Sequence, residues 1–283
     1  MKINACYVNQ EPDYGDAAQP DSLEWELCVA GDRMIGEIYL PSGIYDAPHP
    51  AVIICHGIPG INCNDDLAQA LRRMGCVVIR LCQRGSWGSG GTYSFTHCIE
   101  DAVAACRWAR EEGARLYHID PDNVFLIGHS AGGSTAINAS RRLPFLKGTA
   151  AYCFLDHAIA LARRNPDSTR EGFRRASHIL RLSSFEDLWQ DHVQHAKEWG
   201  FVQTAPYFRE RNLLLIGGTQ DTRTPPDVML EPFWQALQAQ GTHAVHQKVI
   251  LETNHSLDTA WFALADTMGR WVQKCVETPS LSR

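Results

Sequence analysis

One stretch constrains this chain more than any other, Asn123-Val-Phe-Leu-Ile-Gly-His-Ser-Ala-Gly-Gly133. Val124 to Ile127 is a continuous apolar run, short enough to be a strand buried on both faces. It breaks into Gly128-His129-Ser130-Ala131-Gly132, a G-x-S-x-G, and residues 134–142 then read as a helix with small residues turned toward a sheet. Strand, tight turn and helix is the setting in which that pentapeptide lifts a serine hydroxyl clear of the backbone. The glycines two before and two after Ser130 have a steric reason. The serine takes a strained conformation, and a side chain at either glycine would strike the neighbouring strand and helix.

The rest of the chain supplies the sheet. Leu23, Trp25, Leu27 and Val29 alternate with polar neighbours as a half-buried strand does, and residues 34–40 return as its antiparallel partner. From Ala51 on, apolar runs at 51–55, 76–81, 124–127, 148–155, 213–216 and 246–251 alternate with helical patterns at 65–74, 99–112, 134–142, 228–240 and 258–276. Gly113 is expected to close the second of those helices. This alternation specifies an α/β chain with a mostly parallel twisted sheet and helices on both faces. Residues 1–22 read as an acidic, turn-rich surface arm.

Residues 156–210 break the rhythm. Two capping-box patterns, Ser168-x-x-Glu171 and Ser183-x-x-Glu186, open helices there. The spacing predicts a helical cap over the C-terminal edge of a sheet built from residues 1–155 and 211–283. Its basic residues, Arg163, Arg164, Arg170, Arg174, Arg175 and Arg181, read first as a solvated helix face and second as recognition of an acidic substrate group.

With 283 residues, 45% of them hydrophobic and 20% charged, the chain can bury one large α/β core. A formal charge of -6 argues against nucleic acid as partner. No signal-peptide pattern and no long apolar run is present, so neither export nor a membrane span is expected. Ten cysteines lie scattered without a C-x-x-C pair, which suggests free thiols in a reducing cytoplasm. The glycine-rich loop 85–91 lacks a G-K-[ST], and no cluster has metal-ligand spacing. Neither metal nor organic cofactor is expected.

A serine hydroxyl needs a base within hydrogen-bond reach to act as a nucleophile. His255 follows the last apolar run, which puts it at the same sheet edge as Ser130. Asp221, just past residues 213–216, is the carboxylate expected to orient His255, with Asp156 as runner-up. A developing oxyanion needs two preorganised N–H donors, for which Ala131 and Ile58 are placed. His56, Gly57, Trp87 and His129 are candidate pocket residues, His56 as a structural hydrogen-bonder and Trp87 as a wall.

These pieces together resemble the α/β-hydrolases, in the branch of prolyl-oligopeptidase-type peptidase domains and dienelactone-hydrolase-like esterases. The resemblance runs from about Trp25 to Val276 and rests on H-G-x-P-G at 56–60, R-G-x-x-G-x-G at 84–90, G-H-S-A-G at 128–132, the D-x-x-x-P at Asp221 and the late His255. The chain departs by carrying Gln83 where relatives tend to have Asp, and by a serine where dienelactone hydrolases have cysteine. The resemblance implies an α/β-hydrolase fold with a Ser-Asp-His triad and an acyl-enzyme. A carboxylic ester of moderate size is then the first expected substrate, and a short peptide, acylated amino acid or other acyl-amide the second. An acyltransferase and a non-catalytic small-ligand-binding protein are the other readings, and a homodimer is left open.

Overall fold

Residues 51–55 are apolar at every position because the strand they form is covered on both faces. Ala51, Ile53 and Cys55 enter one apolar cluster, Val52 and Ile54 another, and all five are fully buried. The computed structural model describes residues 2–61, 64–163 and 166–278. Its strands are β1 (Asp21–Val29), β2 (Asp32–Leu40), β3 (His49–Cys55), β4 (Val77–Cys82), β5 (Ile119–His129), β6 (Gly148–Tyr152), β7 (Asn212–Gly218) and β8 (His246–Leu251). They form one sheet in the order β1-β2-β4-β3-β5-β6-β7-β8. β1, β2 and β4 pair antiparallel, and the strands from β4 to β8 are parallel neighbours. The register sets Ile53 beside both Ile79 and Leu126, so each apolar row runs straight across the sheet centre.

Helices close both faces. On one lie α1 (Asp65–Arg73) and α11 (Trp261–Glu277), with Trp271 edge-on to Phe125 at 5.7 Å. On the other lie α2 (Phe95–Trp108), α3 (Ala114–Tyr117) and α4 (Ala131–Ser140). Every residue of α4 is buried, so its small side chains serve close approach on all sides rather than on the sheet side alone. Between β6 and β7 come α5 (His157–Arg163), α6 (Pro166–Ser177), α7 (Phe185–His195) and α8 (Phe201–Thr204). α9 (Pro226–Met229) and α10 (Glu231–Gln238) follow β7.

Four local expectations change. The first residues are no arm: Ile3, Ala5 and Val8 are buried, and Ala5 N–H donates to Gln273 Oε1 of α11 at 2.8 Å. Gly113 does not stop α2, because the chain keeps helical angles through a wide turn, Ala109–Gly113, and runs into α3. Ser168 lies inside α6, which opens instead at Pro166 with Asp167 in its first turn. The cap of α7 is Ser184, not Ser183, since Ser184 is extended and its Oγ accepts the Asp187 N–H at 3.0 Å. Arg164, the Arg163 side chain and Cys63 lie outside the described residues, and the other nine cysteines are free thiols.

Candidate active site

Parallel strands end on the same side, so the loops after β3, β5, β7 and β8 converge at one edge. β5 runs through Gly128 into Ser130, which sits at φ 55° and ψ -120° ahead of α4. Such a backbone costs on the order of 1–3 kcal/mol and needs its surroundings to hold it. The glycines show how it is held. A Cβ on Gly128 would lie 1.9 Å from the Gly132 carbonyl oxygen, and one on Gly132 would lie 2.2 Å from that of Cys55. Ser130 N–H donates to Tyr152 O at 3.1 Å, which pins the turn to β6.

His255 arrives from β8 and Asp221 from β7. Gln220 N–H donates to Thr253 O at 2.9 Å, tying the two loops together. His255 Nδ1–H donates to Asp221 Oδ2 at 2.9 Å, which leaves Nε2 to accept the Ser130 hydroxyl at 3.0 Å. Asp221 Oδ1 accepts the N–H groups of Arg223 and Thr224, each at 2.9 Å. Burial works against the Asp221 charge, but the hydrogen bond and charge of His255 and the donors of Thr224 outweigh it and hold the carboxyl well below the usual range.

Thr224 is the residue the sequence reading missed. Its Oγ1 lies 2.5 Å from Asp221 Oδ2 and 2.9 Å from Cys153 O, and its one proton serves one acceptor at a time. A signal existed: an Asp followed by Thr at the third position forms an Asx-type turn that captures the intervening N–H groups. Asp156, the alternative acid, is occupied elsewhere. Its oxygens accept Ile159 N–H at 3.0 Å and Phe201 N–H at 2.9 Å, capping α5 and tying it to α8. Burial raises its carboxyl, and these donors oppose the rise.

Ala131 opens α4, where first-turn N–H groups have no acceptor within the helix. The Ile58 loop passes beside Ser130, since a Cβ on Gly57 would come within 3.0 Å of the Ser130 Cβ.

A cavity of about 600 Å³ opens on Ser130 and His255. Ile58, Pro59 and Leu155 line it from the core, and Ala160, Phe173 and Arg175 from the helical insertion. His56, Gly57, Trp87 and His129 are not among its lining residues, contrary to expectation. His56 is buried behind the loop, where Nδ1–H donates to Gly57 O at 2.7 Å and burial pushes its pKa down to about 4. Trp87 braces the loop from outside, its Nε1–H donating to Pro59 O at 3.1 Å. His129 donates from Nε2 to the His255 carbonyl at 2.8 Å, and burial with the neighbouring His255 pushes its pKa down to about 4. Among the described residues no His, Cys, Asp and Glu group is arranged to hold a metal ion.

The glycine-rich loop is anchored by charge. Arg84 is 2% exposed and pairs with Asp101 and Glu100 of α2, each at 2.6 Å. Arg181 of the insertion then exchanges backbone hydrogen bonds with it, through Arg181 N–H to Gly85 O at 2.8 Å and Tyr93 N–H to Arg181 O at 2.7 Å. No described helix is long and apolar enough to cross a membrane.

Comparison with known proteins places this arrangement. A family model described as alpha/beta hydrolase fold matches residues 89–224, from the glycine-rich loop through the Ser130 turn to the loop of Asp221. Brefeldin A esterase, a bacterial homologue of human hormone-sensitive lipase, is similar in structure, with a TM-score of 0.66 and 17% identity over 97% of this chain and 82% of that one. The α/β hydrolase GrgF from Penicillium sp. sh18 gives 0.67 and 14%, over 91% of this chain and 100% of that one. The acylaminoacyl peptidase of Pyrococcus horikoshii gives 0.64 and 15% over 94% of this chain, which spans 42% of that protein. At these identities the likeness is one of fold. The strand order, the serine turn after β5 and the matched family model agree: the chain has the α/β-hydrolase fold.

Proposed function

We propose that this protein is a serine hydrolase that cleaves a carboxylic ester through an acyl-enzyme on Ser130. The observation that carries the reading is the unbroken chain Ser130 Oγ, His255 Nε2, His255 Nδ1, Asp221 Oδ2, with links of 3.0 and 2.9 Å at the floor of an open cavity. A binding protein has no use for a base behind its serine.

In this mechanism His255 Nε2 takes the Ser130 proton as Oγ attacks the ester carbonyl carbon. The tetrahedral oxyanion accepts the Ala131 and Ile58 N–H groups. Asp221 keeps His255 in the Nδ1–H tautomer and stabilises the imidazolium. His255 then gives its proton to the departing alkoxide, leaving the acyl group on Ser130. Water, deprotonated by the same histidine, releases the acid and restores the serine. The cavity volume suits a substrate of moderate size. The helices of residues 156–210 act as a cap that selects it, with Phe173 and Ala160 against the substrate.

The test is hydrolysis of a series of p-nitrophenyl esters by the native protein and by Ser130→Ala. The expected result is turnover of at least one ester by the native protein and a fall of about five powers of ten in kcat for the variant, with its fold intact. Activity retained within about tenfold by Ser130→Ala contradicts the reading.

A further inference from the structure

The described residues lining the cavity beside Ser130 include two arginines, Arg175 and Arg223, and no acidic residue. The chain as a whole carries a formal charge of -6, so this local balance runs against the global one. Cavity walls of one sign concentrate a ligand of the other. We propose that the substrate is an ester bearing a free carboxylate, held between Arg223 and Arg175 while its ester carbonyl lies at Ser130. This rests on the hydrolase reading for the reaction, though not for the binding.

The two arginines come from opposite parts of the fold. Arg223 follows the acid by two residues, and its own N–H donates to Asp221 Oδ1 at 2.9 Å. The hydrogen bonds that fix the acid therefore fix the root of this side chain as well. Arg175 comes from α6 in the insertion. Its neighbour Glu171 lies 3.7 Å away, but the two side chains are 76% and 54% exposed. A pair so open to water is weakly held, and exchanging Glu171 for a substrate carboxylate costs little.

The other described arginines of the insertion are engaged elsewhere, which separates Arg175 from a generally basic face. Arg170 pairs with Glu186 and lies over the Trp189 ring at 5.8 Å. Arg174 also approaches Glu171, at 3.8 Å, but its guanidinium is laid over the Phe185 ring at 4.1 Å. Arg181 donates to the Gly91 and Ser89 carbonyls of the glycine-rich loop. A planar guanidinium matches a carboxylate with two parallel hydrogen bonds, so one arginine on each wall can clamp an anion in a fixed place. Ser168, Thr169 and Thr222 line the same cavity and add polar side chains to it. Ile58, Leu155, Ala160 and Phe173 add apolar surface for the rest of the molecule.

Two readouts separate this proposal from the reaction it serves. The first is kcat/KM for esters matched in size, one member charged and one neutral: p-nitrophenyl hemiglutarate against p-nitrophenyl valerate, and 4-acetoxybenzoate against its methyl ester. The second is calorimetric binding of glutarate against neutral glutaramide, which needs no chemistry. The expected result is a preference of at least about tenfold, about 1.4 kcal/mol, for a charged ester or for glutarate. Arg223→Gln and Arg175→Gln should each collapse that ratio toward one, while Arg174→Gln leaves it in place. Turnover without charge preference, together with equal binding of glutarate and glutaramide, overturns the proposal and leaves the hydrolase reading standing. Arginine-dependent glutarate binding without turnover of any ester does the reverse. A preference that survives both arginine substitutions also overturns it.

Discussion

Asp221 and Asp156 both follow parallel strands at the same edge, yet the structure gives them different work. Asp221 accepts His255 Nδ1–H and two backbone N–H groups, whereas Asp156 spends its oxygens on the N–H groups of Ile159 and Phe201. Asp221→Asn should therefore cost on the order of 10⁴ in kcat, because the amide no longer holds His255 in the productive tautomer. Asp156→Asn should change kcat within about tenfold and appear mainly as lost stability, on the order of 1 kcal/mol for a weakened cap. Steady-state kinetics and urea melts of both variants on one ester check the pair, and a crippled Asp156→Asn beside a normal Asp221→Asn reverses the assignment. The carboxyl of Asp221 is held below its ordinary value, so its contribution to stability is present above about pH 4 and is lost as pH falls through the lowered value. That Ser130, Asp221 and His255 meet was legible in the sequence because each lies a few residues past an apolar run whose direction the alternation fixes. The roles of Trp87 and His129 were not, because a loop residue's orientation depends on backbone angles and neighbours far off in the chain: Trp87 sits at φ 46° and bonds Pro59, and His129 bonds the His255 carbonyl.

At the scale of elements, the insertion is organised around two buried histidines. His157 of α5 and His192 of α7 join through their Nδ1 atoms at 2.8 Å, 2% and 0% exposed, within a ring of Phe95, Phe173, Trp189 and Trp199. Burial pushes His157 far down and His192 down to about 4. The unfolded chain takes up a proton at His192 below about pH 6.5 that the folded chain refuses. Stability from this histidine is thus fully present above pH 6.5 and is lost as pH falls toward 4. Replacing His192 by Gln removes that dependence. Between pH 7 and 4 the stability difference between the native protein and His192→Gln should shift by about 3 kcal/mol in favour of the variant, as read from urea melts. Parallel stability curves would show that the pair stays solvated. Apolar periodicity located these helices, while their first residues escaped it. Ser183 and Ser184 are adjacent, either could cap α7, and only the extended backbone of Ser184 selects it.

Across the whole molecule, one rule brings the site together: parallel strands deliver the loops of Ile58, Ser130, Asp221 and His255 to a single edge. That much is implied by strands alternating with helices. The cavity is different, since it exists only where the helices of residues 156–210 fold back over that edge, and their placement depends on long-range ties such as Arg181 to the glycine-rich loop. The docking of Ile3, Ala5 and Val8 is long-range in the same way, for their partner helix α11 lies at the other end of the chain. The chemistry proposed for the edge rests on Ser130 being a nucleophile activated by His255. The most direct measurement is labelling of the native protein and of Ser130→Ala with a fluorophosphonate, read by intact mass and peptide mapping. The account predicts one adduct per chain, carried by Ser130 and absent from the variant; no adduct, or one that maps elsewhere and persists in Ser130→Ala, would contradict it.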